Sequence, residues 1–248
     1  SYNSIVIKFS SDLTAMSHII SDNTGNYINN TTLHNDTIYM TGYYYNSVGF
    51  SGEYISDKSY FLMKMLLDGS VHSLHNMDFY NYQMTVSTDI LFSIDNDTRY
   101  WDINVFRNDL NGVNEWKKKT SGDNGTGSIW YTMDTDLNKN IFIQGSFNGK
   151  VPFEDLTLEG LGIYIAKLLP DGKKEWIKEF KGNDVTSSGL KTDNSGNVYA
   201  WGSFSGDLHG NIATISNDMG QSIYLFKFDN NGNLQYMKNF KGNGTVTG

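Results

Sequence analysis

The chain has 248 residues, no Cys, 25 Gly and a formal net charge of −8 at pH 7. That composition excludes a disulfide scaffold, a Cys-bound metal and a thiol nucleophile, and no run of 18 apolar residues is present to span a membrane as a helix. Arg99 and Arg107 are the only arginines and Lys117–Lys119 is the one basic run, so the charge balance argues against nucleic acid as a partner.

Apolar runs of four to seven residues, rich in Ile, Val, Tyr and Phe and separated by Asn, Asp and Gly, predict strands along the whole chain. No window of a dozen residues carries a helical apolar period. The first segment, 1–26, holds a strand pair within residues 5–20. Segments 27–80, 81–120, 121–182 and 183–248 each read as four strands, A to D. In the last of them A falls at 189–192, B at 198–204, C at 223–228 and D at 234–240. Polar turns with Asp-Gly, Asn-Gly and Ser-Gly-Asn join A to B and C to D, because these residues reach the positive φ of tight hairpins. The B–C connection varies most, at 43–59, 95–101, 148–162 and 205–222, and is predicted as loop. Variable loops on a fixed frame are where binding usually resides.

The segments repeat. Residues 163–183 lie over 223–243 in unbroken register at an offset of 60. A basic residue closes an apolar run at Lys8, Lys64, Arg107, Lys167 and Lys227. Five residues on stand Gly69, Gly112, Gly172 and Gly232, with Leu13 the exception. Nine residues on stand Trp116, Trp176 and Tyr236, replaced by Ser17 and Ser73 in the two earliest copies. Between these lies a second motif, Tyr39-Met-Thr-Gly42, Phe142-Ile-Gln-Gly145 and Tyr199-Ala-Trp-Gly202, with Leu91-Phe-Ser-Ile94 filling the remaining interval.

A four-stranded antiparallel sheet repeated every 40 to 60 residues is the unit of a β-propeller, since one such sheet cannot bury both faces alone. The expectation is an all-β β-propeller with about four and a half blades visible in this chain, the half blade being 1–26. A half blade at the start points to one propeller that is incomplete here and belongs to a larger chain or assembly. Asp193-Asn-Ser-Gly-Asn-Val-Tyr-Ala-Trp-Gly202, together with the Lys167 to Trp176 frame, resembles the SBBP-type β-propeller repeat of bacterial and archaeal surface or secreted proteins. The resemblance is strong over 127–248 and weak over 1–100. It implies a propeller in an extracellular or cell-surface setting and no particular activity.

Several residues could carry chemistry. Tyr43, Tyr44 and Tyr45 open one B–C connection, and Trp101 and Trp201 lie near blade edges, where aromatic rings can stack on sugars or anchor a protein. The alternative for all five is packing between blades. Asp134, Asp136, Asn138 and Asn140 alternate oxygen ligands like the start of a calcium loop, but lack its central Gly and terminal Glu. Turn capping is the competing role. His72 and His75 are three apart, which places them on opposite sides of a strand. The recurring Lys and Trp positions read as inter-blade packing, with Lys snorkelling at a strand end, because a residue used in every blade serves the frame. No Ser-His-acid arrangement, phosphate loop or zinc motif is present, and Glu53/Asp57 and Glu154/Asp155 are carboxylate pairs with nothing to mark them.

The reading that best unites these features is a non-enzymatic surface module. It would bind protein or glycan at the cell surface through its B–C connections, as part of an adhesin, filament or surface complex. Calcium is the one cofactor the residues admit. A glycan hydrolase or lyase with carboxylates on the propeller axis is the second reading, and a structural spacer the third.

Overall fold

The structure, a computed structural model, describes residues 5–9, 15–21, 25–57, 59–80, 83–97, 102–120 and 127–241. The chain packs as two compact units, Ser1–Asp95 with Phe106–Trp116, and Asn96–Val105 with Lys117–Gly248. Every regular element described is a β-strand. The fold is all-β and of β-propeller type, with antiparallel strands running A-B-C-D in each repeat; two repeats form four-stranded sheets and the last two, over 127–241, are joined into one eight-stranded sheet.

Strands β1 (Ile5–Phe9) and β2 (Ala15–Ile20) form the opening hairpin. The first full blade orders β3 (Asn26–His34), β4 (Thr37–Tyr44), β7 (Tyr60–Leu66) and β8 (Val71–Met77). Between its B and C strands a separate hairpin rises, β5 (Ser47–Phe50) with β6 (Glu53–Ser56). The next sheet comprises β9 (Gln83–Ser87), β10 (Ile90–Asp97), β11 (Asp102–Asp109) and β12 (Asn114–Thr120). In the second unit, β13 (Gly127–Thr135), β14 (Ile141–Phe153), β15 (Leu156–Leu168) and β16 (Lys174–Asn183) form one blade. The last blade is β17 (Gly189–Thr192), β18 (Val198–Gly210), β19 (Thr214–Phe228) and β20 (Leu234–Lys241).

The turns form because one aspartate closes each of them. Asp109, Asp136, Asp193 and Asp229 accept backbone N–H bonds at 2.8–2.9 Å from residues two and four positions on. The residue three positions on takes positive φ: Gly112, Gly196 and Gly232 at 83°, 74° and 78°, and Lys139 at 65° in the copy without glycine. The second recurrent glycine has another cause. Gly42, Gly145 and Gly202 pair across from Phe61, Tyr164 and Tyr224 on strand C, all fully buried. At Gly42 and Gly202 a Cβ would overlap that ring and a backbone carbonyl oxygen, of Tyr27 and Thr186 respectively.

Two of the B–C connections predicted as loops are ordered ribbons that prolong strands B and C. Strands β14 and β15 pair without interruption from Ile141↔Leu168 to Phe153↔Leu156, around a two-residue turn at Glu154 and Asp155. Beyond a bulge after Ser205, β18 and β19 pair again from Asp207↔Ser216 to His209↔Thr214. A third connection carries the hairpin β5–β6. The physical signal is alternation: Val151, Phe153 and Leu158 are buried while Lys150, Glu154 and Glu159 are exposed or at the rim. The ribbons lie down on their own blades. Asn76 and Asn239 occupy the same repeat position, twelve residues after Lys64 and Lys227, and each donates its amide to a ribbon carbonyl, Ser56 and Ser216.

Successive blades are joined by the recurring lysine. Lys167, 3% exposed, donates to Asn230 Oδ1 at 2.6 Å in the C–D turn of the next blade and pairs with Glu175 at 2.8 Å. Trp176 donates its indole N–H to the Asn230 carbonyl at 3.1 Å and packs between Phe142 and Phe228. In the first unit Lys64 likewise reaches Asn111 Oδ1 at 2.8 Å in the turn of the following sheet. On the inner strands, Asp134 of β13 accepts from the backbone N–H and hydroxyl of Thr192 in β17.

Two outcomes follow from these seams. Lys167→Ala leaves the Asn230 acceptor and Glu175 without their cation, and is expected to lower unfolding free energy by roughly 2–4 kcal/mol in urea titrations. A loss below about 0.5 kcal/mol would show that the seam does not depend on it. His75 sits half-buried beside Lys64, with Nε2 lacking a hydrogen-bond partner. Its pKa is held below the usual 6.5, first by burial and then by Lys64 and His72, against the pull of Asp109. The unfolded chain therefore binds this proton at higher pH than the folded one, and stability is lost as pH falls through about 6.5 and below. His75→Leu is expected to flatten that part of the Tm-against-pH curve; an unchanged slope refutes the assignment.

Candidate functional site

The first unit carries a cluster of tyrosines on one end of the blade β3-β4-β7-β8. Tyr43 on β4 is paired directly with Tyr27 on β3 and with Tyr60 on β7. Residues opposite one another in antiparallel strands point to the same face, so the three form a row across the blade. Tyr27 and Tyr43 stack at 4.7 Å with 20° between their planes. Tyr80, beyond strand D, closes the row, at 6.3 Å from Tyr43 and 5.7 Å from Tyr60. Tyr45 meets Tyr43 edge-on at 6.0 Å and is 64% exposed.

The local chain explains this placement. After strand B ends at Tyr44, the Tyr45 N–H donates to the Gly25 carbonyl at 3.0 Å, and Asn46 turns the chain with φ of 69°. Tyr45 is thereby carried to the open side of the row, its ring near Gly25. Burial against its neighbours, then the nearby Tyr45 and Tyr27 hydroxyls, raise the Tyr43 pKa, so its hydroxyl stays protonated and able to donate as well as accept.

Of the three consecutive tyrosines considered together in the sequence, Tyr44 stands apart. Strand alternation turns it into the core, where its ring packs near Phe61 and its hydroxyl donates to Asn76 Oδ1. That corrects the grouping: Tyr43 and Tyr45 share a surface and Tyr44 does not. Trp201 is half-buried and lies over Gly189, its cross-strand partner, where a Cβ would overlap the indole. Trp101 lies outside the described residues. Tyr27, Tyr60 and Tyr80 belong to the cluster but lie 16 or more residues from Tyr43 in sequence, and only the strand register joins them to it.

The row occurs in one blade alone among those whose register is described. In the blade β13–β16 the positions of Tyr43 and Tyr60 are held by Ser146 and Ile163. In the last blade they are held by Ser203 and Ile223, and Ser203 there shares a hydrogen bond with Thr186 at 2.9 Å. Packing between blades uses recurring residues, whereas this row does not recur.

The four candidate calcium ligands divide. Asp136 accepts from the backbone N–H of Asn138 and Asn140, and its second oxygen accepts the Asn140 side-chain amide at 2.8 Å. Asn138 is exposed, and Asp134 is engaged by Thr192 and by Lys191 at 3.4 Å. The structure therefore brings Asp136 and Asn140 together and gives Asp134 to the next blade. Among the described residues no group of three or more His, Asp or Glu is placed to hold a metal. The Glu154/Asp155 pair is bound by cations. Burial pushes the Glu154 carboxyl up, but bonds from Lys118 and from the Lys174 backbone outweigh it, and its pKa is lowered. Asp155 is lowered by Lys174. Carboxylates so held are ionised, unlike the protonated acid that glycoside cleavage requires.

No protein-family model matches the chain, and no curated protein matches it. Among solved structures it is similar to BamB from Moraxella catarrhalis, at 11% identity and a TM-score of 0.38, over 88% of this chain and 76% of that one. A likeness so loose carries nothing about role.

Asp136→Ala removes three hydrogen bonds from a buried turn and is expected to cost about 1–3 kcal/mol in urea unfolding. The same loss is expected with excess calcium or with a chelator. A loss that appears only with calcium present would assign the carboxylate to an ion instead.

Proposed function

We propose that this chain is a non-enzymatic binding module on a β-propeller scaffold, acting outside the cell or at its surface. It takes a protein or glycan on the tyrosine face of its first full blade. The observation that carries this reading is the row Tyr27–Tyr43–Tyr60, extended by Tyr80 and by the exposed Tyr45. Stacked tyrosines give a rigid apolar surface edged with hydroxyls, at small entropic cost on binding. Such a surface suits the C–H face of a sugar ring or an apolar side chain with a polar neighbour. The SBBP-type sequence resemblance and the absence of Cys support the extracellular setting, and no helix among the described residues is long and apolar enough to cross a membrane.

Residues 47–56, the ribbon beside the row, support the same face. Tyr54 on β6 is 60% exposed and lies over Gly49. The residues exposed in this stretch differ from those of the ribbons in the second unit, as a recognition surface on a repeated frame requires.

The test is a glycan array probed with the intact chain, followed by titration of any hit against Tyr45→Ala and Tyr43→Ser. Each is expected to weaken binding about tenfold, or roughly 1.4 kcal/mol, while Tm changes little for the exposed Tyr45. If the array is silent, photo-crosslinking from position 45 on the native cell surface is expected to capture a protein. Wild-type affinity in the Tyr45→Ala variant would overturn the placement of the site.

A further inference from the structure

The outer edge of strand D recurs in every blade, and the structure shows what covers it. In the second unit β18 crosses from its own blade to the preceding one. Phe180 pairs with Gly210, Lys181 with His209 and Asn183 with Ser205, so the ribbon adds a strand to β16. Phe180 is fully buried there. A Cβ on Gly210 would overlap the Phe180 ring, so glycine at that position is what lets the ribbon lie flat on it. Leu208, two residues earlier and on the same side of the strand, is also fully buried.

The same contact appears elsewhere. Ser21 stands thirteen residues after Lys8, as Phe180 stands thirteen after Lys167, and Ser21 bridges Phe50 on the ribbon β5–β6 of the next blade. Lys118 on β12 is paired with Glu154 at the tip of the ribbon β14–β15. Strand D of one repeat is thus met by the B–C ribbon of the following repeat at three seams.

Phe240 on β20 stands thirteen residues after Lys227 and is the equivalent of Phe180. Among the described residues β20 is an end strand, paired with β19 on one side. Phe240 is 51% exposed where Phe180 is 0%. The residue and the register are the same. Phe180 is covered by the ribbon at Gly210 and by Phe226 and Phe228 of the next blade, and among the described residues no ribbon or strand lies on β20 in the equivalent place.

We propose that the β20 edge around Phe240 is a docking site for the B–C ribbon of another blade of this repeat type. The ribbon adds to the sheet antiparallel to β20, with a glycine on the Phe240 ring and an apolar residue where Leu208 stands on its counterpart. The occupant is not a described ribbon of a second copy: among the described residues the ribbons at 47–56, 148–161 and 205–216 are already engaged at Ser21, Lys118 and β16. The site is separate from the tyrosine face and independent of what that face binds.

A cyclic peptide of residues 203–223, closed across the Ser203↔Ile223 pair and confirmed as a hairpin by NMR, serves as the ribbon. It is added to the intact chain and amide exchange is followed by mass spectrometry. Exchange over 234–241 is expected to slow by about tenfold or more, with β16 unchanged because its edge is filled. Gly210→Val in the peptide, or Phe240→Asp in the chain, is expected to abolish that protection. The proposal fails if β20 is not protected, or if the Gly210→Val peptide protects equally well. It also fails if the chain alone dimerises in sedimentation and Phe240→Asp disperses it, since the occupant is then a second copy.

Discussion

A lysine ammonium at 3% exposure, held by an asparagine of the following repeat, marks the constraint on which this fold depends. A four-stranded sheet has two apolar faces and two open edges, and it can bury neither set by itself. Lys167, Trp176 and Asn230 solve the face problem together: the indole fills the seam between Phe142 and Phe228, and the ammonium satisfies the turn carbonyl side of the same contact. Removing water from that cation is costly unless its partners are fixed. They are fixed, because Asn230 sits in a turn that Asp229 closes on its own backbone. At the C–D turns of Asp109 and Asp229 the aspartate turn and the lysine seam are one device, the turn presenting the asparagine that the preceding blade's lysine needs.

The edges are managed by the ribbons. An unpaired strand D exposes a row of backbone donors and acceptors, which natural proteins cover or interrupt. Here the B–C connection, which costs little to lengthen at the surface, is prolonged into a ribbon that lies on its own blade through Asn76 or Asn239 and meets the strand before it. Lengthening the connection thus adds a strand rather than a floppy loop. This explains why the insertions alternate apolar and polar residues instead of being uniformly polar.

The frame of the fold was legible because it repeats. Strand type, the Asp turns and the recurrent Lys, Gly and Trp positions could all be read from register. Trp176 packs between blades as expected, whereas Lys64 and Lys167, expected to snorkel at strand ends, are buried and bonded to an asparagine of the next turn. The B–C connections were expected as loops because their length and sequence vary most from blade to blade. Variation in length does not exclude pairing: Pro152 pairs with Thr157, and Gly149 with Gly160, inside a continuous hairpin. Within the tyrosine face, local sequence showed Tyr43 to Tyr45 and no more. The strand period separates Tyr44 from its neighbours, and cross-strand register brings in Tyr27 and Tyr60 from distant positions. Such pairing is set by which hydrophobic set each strand turns inward, and a single strand does not carry that information.

Recurrence separates scaffold from site in a chain of this kind. A position filled by the same residue in successive blades meets the same neighbour in each, and its chemistry is consumed by that neighbour. Lys167 and Lys64 are both held by an asparagine of the next turn. A position whose residue departs from its equivalents is not one that the repeat itself fixes. At the level of Tyr43 and Tyr60 the other described blades place serine and isoleucine, so the frame does not need tyrosine there. Phe240 supplies the complementary case, in which the residue matches its equivalent and the surroundings do not. Departure of the residue from the repeat points to a ligand particular to one blade, and departure of the surroundings points to a contact that the repeat itself defines. On the two readings proposed here the surfaces differ in kind: one would take a foreign partner, the other a neighbour built like itself.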